Sequence, residues 1–444
     1  MSAFDDLFAQ VESDYRQRTP TSAALYDRAL TSMPGGDTRQ TVFFTPYPLF
    51  VACGEGSFVT DVDANSYFDC SSCWSALVLG HAHPAVTEAV ADQLARGSAY
   101  NAASPHALEL VELLRERIPS LEMVRLTNTG SEATMLAVRA ARALTGRQKV
   151  VKMAGAYHGA GDDWQVHDGQ PQLGLIPGND AHVLEVPFND KVAVTDLLDA
   201  EGHDVASLIV EPVMGVAGTL PPLDGYLQHL RVETDRHGIV LILDEVITLR
   251  LALGGGQALY DLRPDLTTMG KIIGGGHPIG AFGGRAALME QFSPLRPDHL
   301  SHSGTFNANP VSAVAGLTTL RQLDADTISY INRLGDRFAA AVDRVAASRN
   351  VTLCTTGVGS IRNLHFADAP PTHAAQAAAG DTGLRRLLHR KLLTLGVLAV
   401  ERGMFAFAAT STEADVDAVA VKIDVAVEWM LPAIQERGGS HTDS

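Results

Sequence analysis

Between about residues 120 and 285 the chain alternates short aliphatic runs with segments of helical period. The runs are MVRLTN, KVVKMAG, ASLIVEPV, IVLILDEV and DLTTMGK; SEATMLAVRAARAL and GYLQHLRVETDRHG supply helices between them. Runs of Val, Ile and Leu without polar alternation suit strands covered on both faces, and strand–helix alternation pairs them in parallel through crossover helices. The pattern predicts an α/β core around one mainly parallel sheet. Ligands of such sheets bind in the crevice at the C-terminal ends of the strands, so the residues that follow each run are the candidates for chemistry.

The flanking segments read differently. FFTPYPLFVACGEGSFVTDVDANSYFDC before the block, and TLCTTGVGSIRNLHFA and LGVLAVERGMFAFAAT after it, mix short strand-like pieces with helices. They predict a smaller α+β domain built from both chain ends. The expected division gives 1–59 to an N-terminal arm and part of the small domain and 60–325 to the large domain. The C-terminal part of the small domain takes 326–435, and 436–444 is a flexible tail.

With 51 acidic against 34 basic residues, the formal net charge is −17. That field opposes binding of nucleic acid or of an anionic membrane surface. No run reaches the roughly 18 apolar residues of a membrane span. The acidic start MSAFDDLFAQ lacks the basic then apolar order of a secretory signal, so a cytoplasmic protein is expected. Four cysteines in 444 residues make no disulfide framework. Cys70 and Cys73 form a CxxC followed by His81 and His83, a spacing shared with zinc sites. No second CxxC follows, and FDCSSCWSALVLG reads as a buried strand and turn. The expectation is therefore buried, unreactive thiols and no metal.

Four strand ends carry candidates. TNTGSEA opens a helix after a strand, with Gly130 permitting close backbone approach and Ser131 offering a hydroxyl and an N–H. A helix start of this kind suits a phosphate, although a serine there is also an ordinary N-cap. AGAYHGA puts Tyr157 and His158 after the next run, where the ring either stacks on a flat ligand or packs. IVLILDEV delivers the Asp244 carboxylate to the rim of the core. Burial there needs a cation or donors, either a salt bridge such as one to Arg250 or a ligand.

The fourth is Lys271, in DLTTMGKIIGGGHPIGAFGG. Only six of the 34 basic residues are lysines, so a lysine among apolar residues and glycines points to an amine that can lose its proton. Desolvation lowers a lysine pKa and makes it a nucleophile towards carbonyls. A phosphate cradle, a stacking aromatic, a buried carboxylate and a desolvated lysine together match pyridoxal 5'-phosphate (PLP).

NTGSEA, YHG, EPV, LDEV, DLTTMGKIIGGG, PIGAFGG and HSGTFNANP, in this order over nearly the whole chain, resemble the class III, fold-type-I PLP-dependent aminotransferases. The branch that the chain resembles holds glutamate-1-semialdehyde aminomutase and the β-amino acid (β-phenylalanine-type) transaminases. The resemblance implies a large domain with a mainly parallel seven-stranded sheet and PLP as cofactor, with pyridoxamine 5'-phosphate as its alternate form. It makes Lys271 the Schiff-base lysine and Asp244 the partner of the pyridinium, with Val246 under the ring and Tyr157 over it. Gly130 and Ser131 fall at the phosphate, and His158 and Glu211 belong to the cofactor's surroundings. Thr305 is expected at the cofactor phosphate of a neighbouring subunit, which implies a homodimer.

Two arginines bear on substrate. Arg39, in MPGGDTRQ, matches an arginine that binds a substrate carboxylate in both groups. Arg402, in VERGMF, matches one that the β-amino acid transaminases use for the co-substrate carboxylate and that the mutases lack. DEVITLR also has one residue fewer between DEV and Arg than the mutase form. These implications give a transaminase moving an amino group from a β-amino acid, aromatic in type, to 2-oxoglutarate or pyruvate. The alternatives are glutamate-1-semialdehyde 2,1-aminomutase or a D-α-amino acid or amine transaminase of the same class.

Overall fold

The protein's structure, a computed structural model, describes residues 2–167 and 173–438. The central sheet has seven strands in the spatial order 123–127, 280–284, 266–270, 240–244, 205–210, 149–153 and 183–186. The last five of these run parallel to one another. Strands 205–210, 240–244 and 266–270 are buried at every position, as continuous aliphatic runs with helices on both faces require.

Five strands follow the aliphatic runs, and two do not. Val183–Val186 is a short edge strand, and Gly280–Gly284 runs antiparallel to both its neighbours. The latter, which no aliphatic run announces, needs its glycines because it is wedged between two strands. A Cβ at Gly280 would overlap the Thr129 carbonyl.

The smaller domain draws on both chain ends. A four-stranded sheet joins 51–55, 58–61 and 66–69 to Val397–Leu398, and a three-stranded sheet joins 354–358, 361–365 and 404–406. Helices Ala325–Arg349 and Glu413–Glu436 cover them, and one core unites Val11 with Phe338, Phe405 and Ile423. The domain limit expected after residue 59 falls inside strand 58–61, and the one after 325 falls at the start of a helix. Within the stretch expected as a tail from residue 436, Glu436 belongs to the last helix, and Arg437 bonds Asp381 through Nε at 2.6 Å and Nη2 at 3.1 Å. Residues 439–444 lie outside the described residues. No described helix is long and apolar enough to cross a membrane.

The segment FDCSSCWSALVLG departs from the expected buried strand and turn. The strand stops at Asp69, whose Oδ1 accepts from the backbone N–H groups of Ser71 and Ser72. Ser72, Cys73, Trp74 and Ser75 then take φ of 44°, 51°, 55° and 68°, a left-handed run that costs roughly 1–2 kcal/mol per residue. Tertiary bonds hold it. The fully buried Arg250 guanidinium donates to Ser75 O at 3.2 Å, to Ser360 Oγ at 3.0 Å and to Phe407 O, and Ser72 Oγ donates to Ala406 O at 3.2 Å.

Candidate active site

Lys271 stands where strand 266–270 ends and a short 3-10 helix begins, at φ 49°. It lines a cavity of about 640 Å³ shared with Asp244, Val246, Glu211, Gly130 and Arg39. Burial lowers its amine pKa, and the carboxylates of Asp244 and Glu211 oppose that shift. Several strand ends therefore meet at one cavity, as an open parallel sheet allows.

Asp244 closes strand 240–244 with 3% exposure. Its Oδ1 accepts from the Val246 N–H at 3.1 Å, and its Oδ2 lies 2.8 Å from Nδ1 of the buried His158. The carboxylate fixes the imidazole proton on Nδ1; His158 Nε2 is buried without a partner, and the ring packs edge-on to Trp164. The open alternative of an Asp244 salt bridge to Arg250 is settled against, since Arg250 bonds two carbonyls and a serine. Glu211 is a second buried carboxylate, whose oxygens accept from Gly215 N–H at 3.0 Å and Tyr157 N–H at 3.4 Å. Burial, chiefly, pushes its pKa up to about 7.

The helix Gly130–Thr145 points its N-terminus at this cavity. Its cap is Thr129, not Ser131: Thr129 Oγ1 accepts from the Glu132 N–H at 3.1 Å. The N–H groups of Gly130 and Ser131, at the first helical positions, have no intrahelical acceptor. Ser131 Oγ accepts from the Ala160 N–H at 3.2 Å, and Gly159, at φ 105°, passes so close that a Cβ there would overlap Ser131 Oγ. Two free amides and a hydroxyl at a helix N-terminus form a phosphate cradle.

Tyr157 lines the same cavity at 49% exposure, and Arg39 is an exposed residue at its wall. Arg402 is not brought to this cavity; it lines a separate one of about 220 Å³. Thr305 is also elsewhere, on an exposed turn beside Asn307 and His302.

Sequence reasoning missed Cys73. Cys70 is fully buried, with burial pushing its thiol well up, but Cys73 is exposed and faces the Lys271 cavity. The left-handed run turns it there, and nothing in the composition of SSCWS signals such a backbone. His81 Nε2 bonds Asp69 Oδ2 at 2.8 Å. His277, its pKa lowered by burial, borders both the Lys271 cavity and an adjoining one of about 260 Å³.

The family profile described as "Aminotransferase class-III" matches residues 42–411. The chain belongs to the class-III aminotransferases. It is 43% identical over 383 residues to a glutamate-1-semialdehyde 2,1-aminomutase of Methanothermobacter thermautotrophicus, which spans 85% of this chain and 91% of that protein. The structure is similar to that of a β-phenylalanine aminotransferase from Variovorax paradoxus, with a TM-score of 0.91, 33% identity and 98% of each chain covered. A transaminase with PLP bound gives a TM-score of 0.86 at 35% identity, over 94% of this chain and 99% of that one. This class-III aminotransferase is a PLP-dependent enzyme of fold type I. Its residues fit the cofactor: Gly159 leaves no room for a side chain beside the cradle, a Cβ at Gly130 would press on Val246, and the buried Asp244 lines the cavity that holds the Lys271 amine.

Proposed function

We propose that the enzyme moves an amino group between adjacent carbons of one carboxylate-bearing substrate, the reaction for which its glutamate-1-semialdehyde 2,1-aminomutase relative is named. One observation carries this reading: among the described residues, Arg39 is the one arginine lining the Lys271 cavity. A single carboxylate site suffices for a rearrangement within one molecule. The expectation of a two-substrate transaminase leaned on Arg402, which lies in a different cavity. A β-amino acid transaminase stands as the second reading. The spacing of DEVITLR and the likeness to the β-phenylalanine aminotransferase over 98% of both chains favour it.

Bound PLP supplies an aldehyde carbon that takes up amines and a pyridine ring that draws electrons from the carbon bearing nitrogen. Lys271 would hold that aldehyde carbon, and its desolvated amine would carry a proton between carbons of the substrate. Asp244, aimed by His158, would keep the proton on the ring nitrogen. Val246 and Tyr157 would bracket the ring, while the Gly130 and Ser131 amides and the Ser131 hydroxyl bind the phosphate. Arg39 pairs with the substrate carboxylate and sets its register against Lys271. Glu211 holds the Tyr157 and Gly215 backbones at the cavity wall.

A homodimer belongs to the same proposal. Thr305 stands outside its own chain's Lys271 cavity, and its neighbour Phe306 is 58% exposed. A second copy that covers this face would receive Thr305 at its cofactor phosphate.

The deciding experiment supplies glutamate 1-semialdehyde alone, and β-phenylalanine with and without 2-oxoglutarate. Semialdehyde turnover without an acceptor supports the leading reading. Transfer from β-phenylalanine that requires 2-oxoglutarate, with an inert semialdehyde, replaces it by the second.

A further inference from the structure

Arg390, on helix Thr382–Thr394, has a fully buried side chain whose guanidinium joins three parts of the chain. Its Nε donates to Thr45 O at 2.6 Å, its Nη2 pairs with Glu401 Oε2 at 2.7 Å, and its Nη1 donates to His389 Nδ1. The guanidinium lies 4.3 Å from the centre of the Phe44 ring, which His389 meets edge-on. His389 is left neutral: burial first, and the Arg390 charge second, hold its pKa well below the usual value. Its Nε2 donates to Ala399 O at 3.1 Å. An apolar side chain of similar volume would fill such a core with less desolvation, so a charge here serves geometry more than stability.

What this clamp holds is the arm that carries Arg39. From residue 37 to 50 the chain has neither helix nor strand. Asp37 Oδ1 accepts from the Arg39 N–H at 2.9 Å, and the Arg39 and Gln40 carbonyls accept from the Val42 and Phe43 N–H groups at 2.9 Å and 3.3 Å. Consecutive turns thus run from Arg39 to the buried Phe44, where Arg390 grips both the ring and the next carbonyl. Beyond that joint, Tyr47 O accepts from the Tyr15 hydroxyl at 3.1 Å. Arg390 does not line the Lys271 cavity, so it can act there only through the arm.

We propose that Arg390 is a positioning residue for the substrate carboxylate: its grip on Phe44 and Thr45 sets the register of the turns that present Arg39 to the Lys271 cavity. The proposal rests on the reading of Arg39 as the carboxylate site. A guanidinium pairs with a carboxylate through two parallel bonds, so a small displacement of the turn weakens binding before it weakens the fold.

The test titrates the PLP-loaded enzyme with pentanoate and with 3-phenylpropanoate, amine-free carboxylates built on the carbon chains of the two candidate substrates. The absorbance of the cofactor gives the apparent Kd. Arg390→Gln should weaken binding roughly tenfold, the scale for a group that orients a ligating one. Arg390→Lys, which keeps the charge but not the fork, should fall between Arg390→Gln and wild type. In an Arg39→Ala background Arg390→Gln should add nothing, as expected of a residue that works through another. Phe44→Leu loosens the same joint without removing the buried charge and should act in the same direction, which keeps the test open should Arg390→Gln fail to fold. Hydrogen exchange gives a second reading: amides of residues 37–47 should exchange faster in both variants, and those of strand 240–244 should not. Additive effects of Arg390→Gln and Arg39→Ala, or unchanged affinity and exchange in both Arg390→Gln and Phe44→Leu, overturn the positioning role alone. A wild type that binds neither carboxylate, or an Arg39→Ala variant that binds as tightly as wild type, removes the carboxylate reading of Arg39 and the proposal with it.

Discussion

His158 Nδ1 lies 2.8 Å from Asp244 Oδ2, with both side chains withdrawn from solvent. The imidazole is therefore what aims the carboxylate into the cavity. His158→Leu should keep the fold and lower kcat by about 10–100-fold, the usual scale for a residue that orients a ligating group. Steady-state kinetics, read beside the visible spectrum of the bound cofactor, check it. An unchanged kcat and spectrum would mean that the Val246 N–H alone orients Asp244.

Lys271 is, among the described residues, the one amine lining the cavity, and Lys271→Ala removes it. Turnover should fall by at least about 10²–10⁴-fold, the range for a general acid–base group, and borohydride should no longer fix the cofactor to the chain. Mass spectrometry after reduction gives a direct reading.

Glu211 should leave a mark on stability as well as on rate. Burial raises its folded pKa from 4.5 to about 7, so between those values the folded protein holds a proton that the unfolded chain has released. Stability must then fall as pH rises through this window, by up to roughly 3 kcal/mol. Glu211→Gln should flatten that slope in urea denaturation at pH 5, 6, 7 and 8. A slope equal to wild type would refute the assignment.

Arg39→Ala should raise KM for the carboxylate-bearing substrate about tenfold or more, with a smaller change in kcat, since it removes binding rather than proton transfer. A drop in kcat alone would place Arg39 in the chemical step.

Arg250 has a structural share in the same cavity. Arg250→Leu strands two carbonyls and a serine hydroxyl in the core, at about 1–3 kcal/mol for each unsatisfied group. Denaturation should show the loss, and cofactor release should quicken because the Ser72–Ser75 run beside the cavity loses its anchor.

Much of this was legible beforehand for physical reasons. Aliphatic runs mark doubly covered strands, and ligands of such sheets sit in the crevice at the strands' C-terminal ends, so Lys271, Asp244 and Gly130 stand at the strand ends where the pattern puts them. Gly280–Gly284 escaped because a wedged glycine strand has no side chains to advertise its burial. Cys73 escaped because its backbone is imposed by bonds from Arg250 and Asp69, contacts remote in sequence or invisible to propensity. Arg402 was located by a local match, yet which cavity an arginine enters depends on the whole turn that carries it.

The anchoring of that left-handed run also constrains the order of events during biosynthesis. The Cys70 and Val78 carbonyls accept from Ala406 and Ala409 N–H groups at 2.6 Å and 2.7 Å, and Arg250 ties Ser75 to Ser360 and Phe407. A nascent chain that has emerged as far as residue 350 already owns Lys271, Asp244, Glu211 and the phosphate cradle. It still lacks the strand that pins one wall of the vessel. The wall of the vessel beside the left-handed run is thus closed only once residues 404–409 have been made.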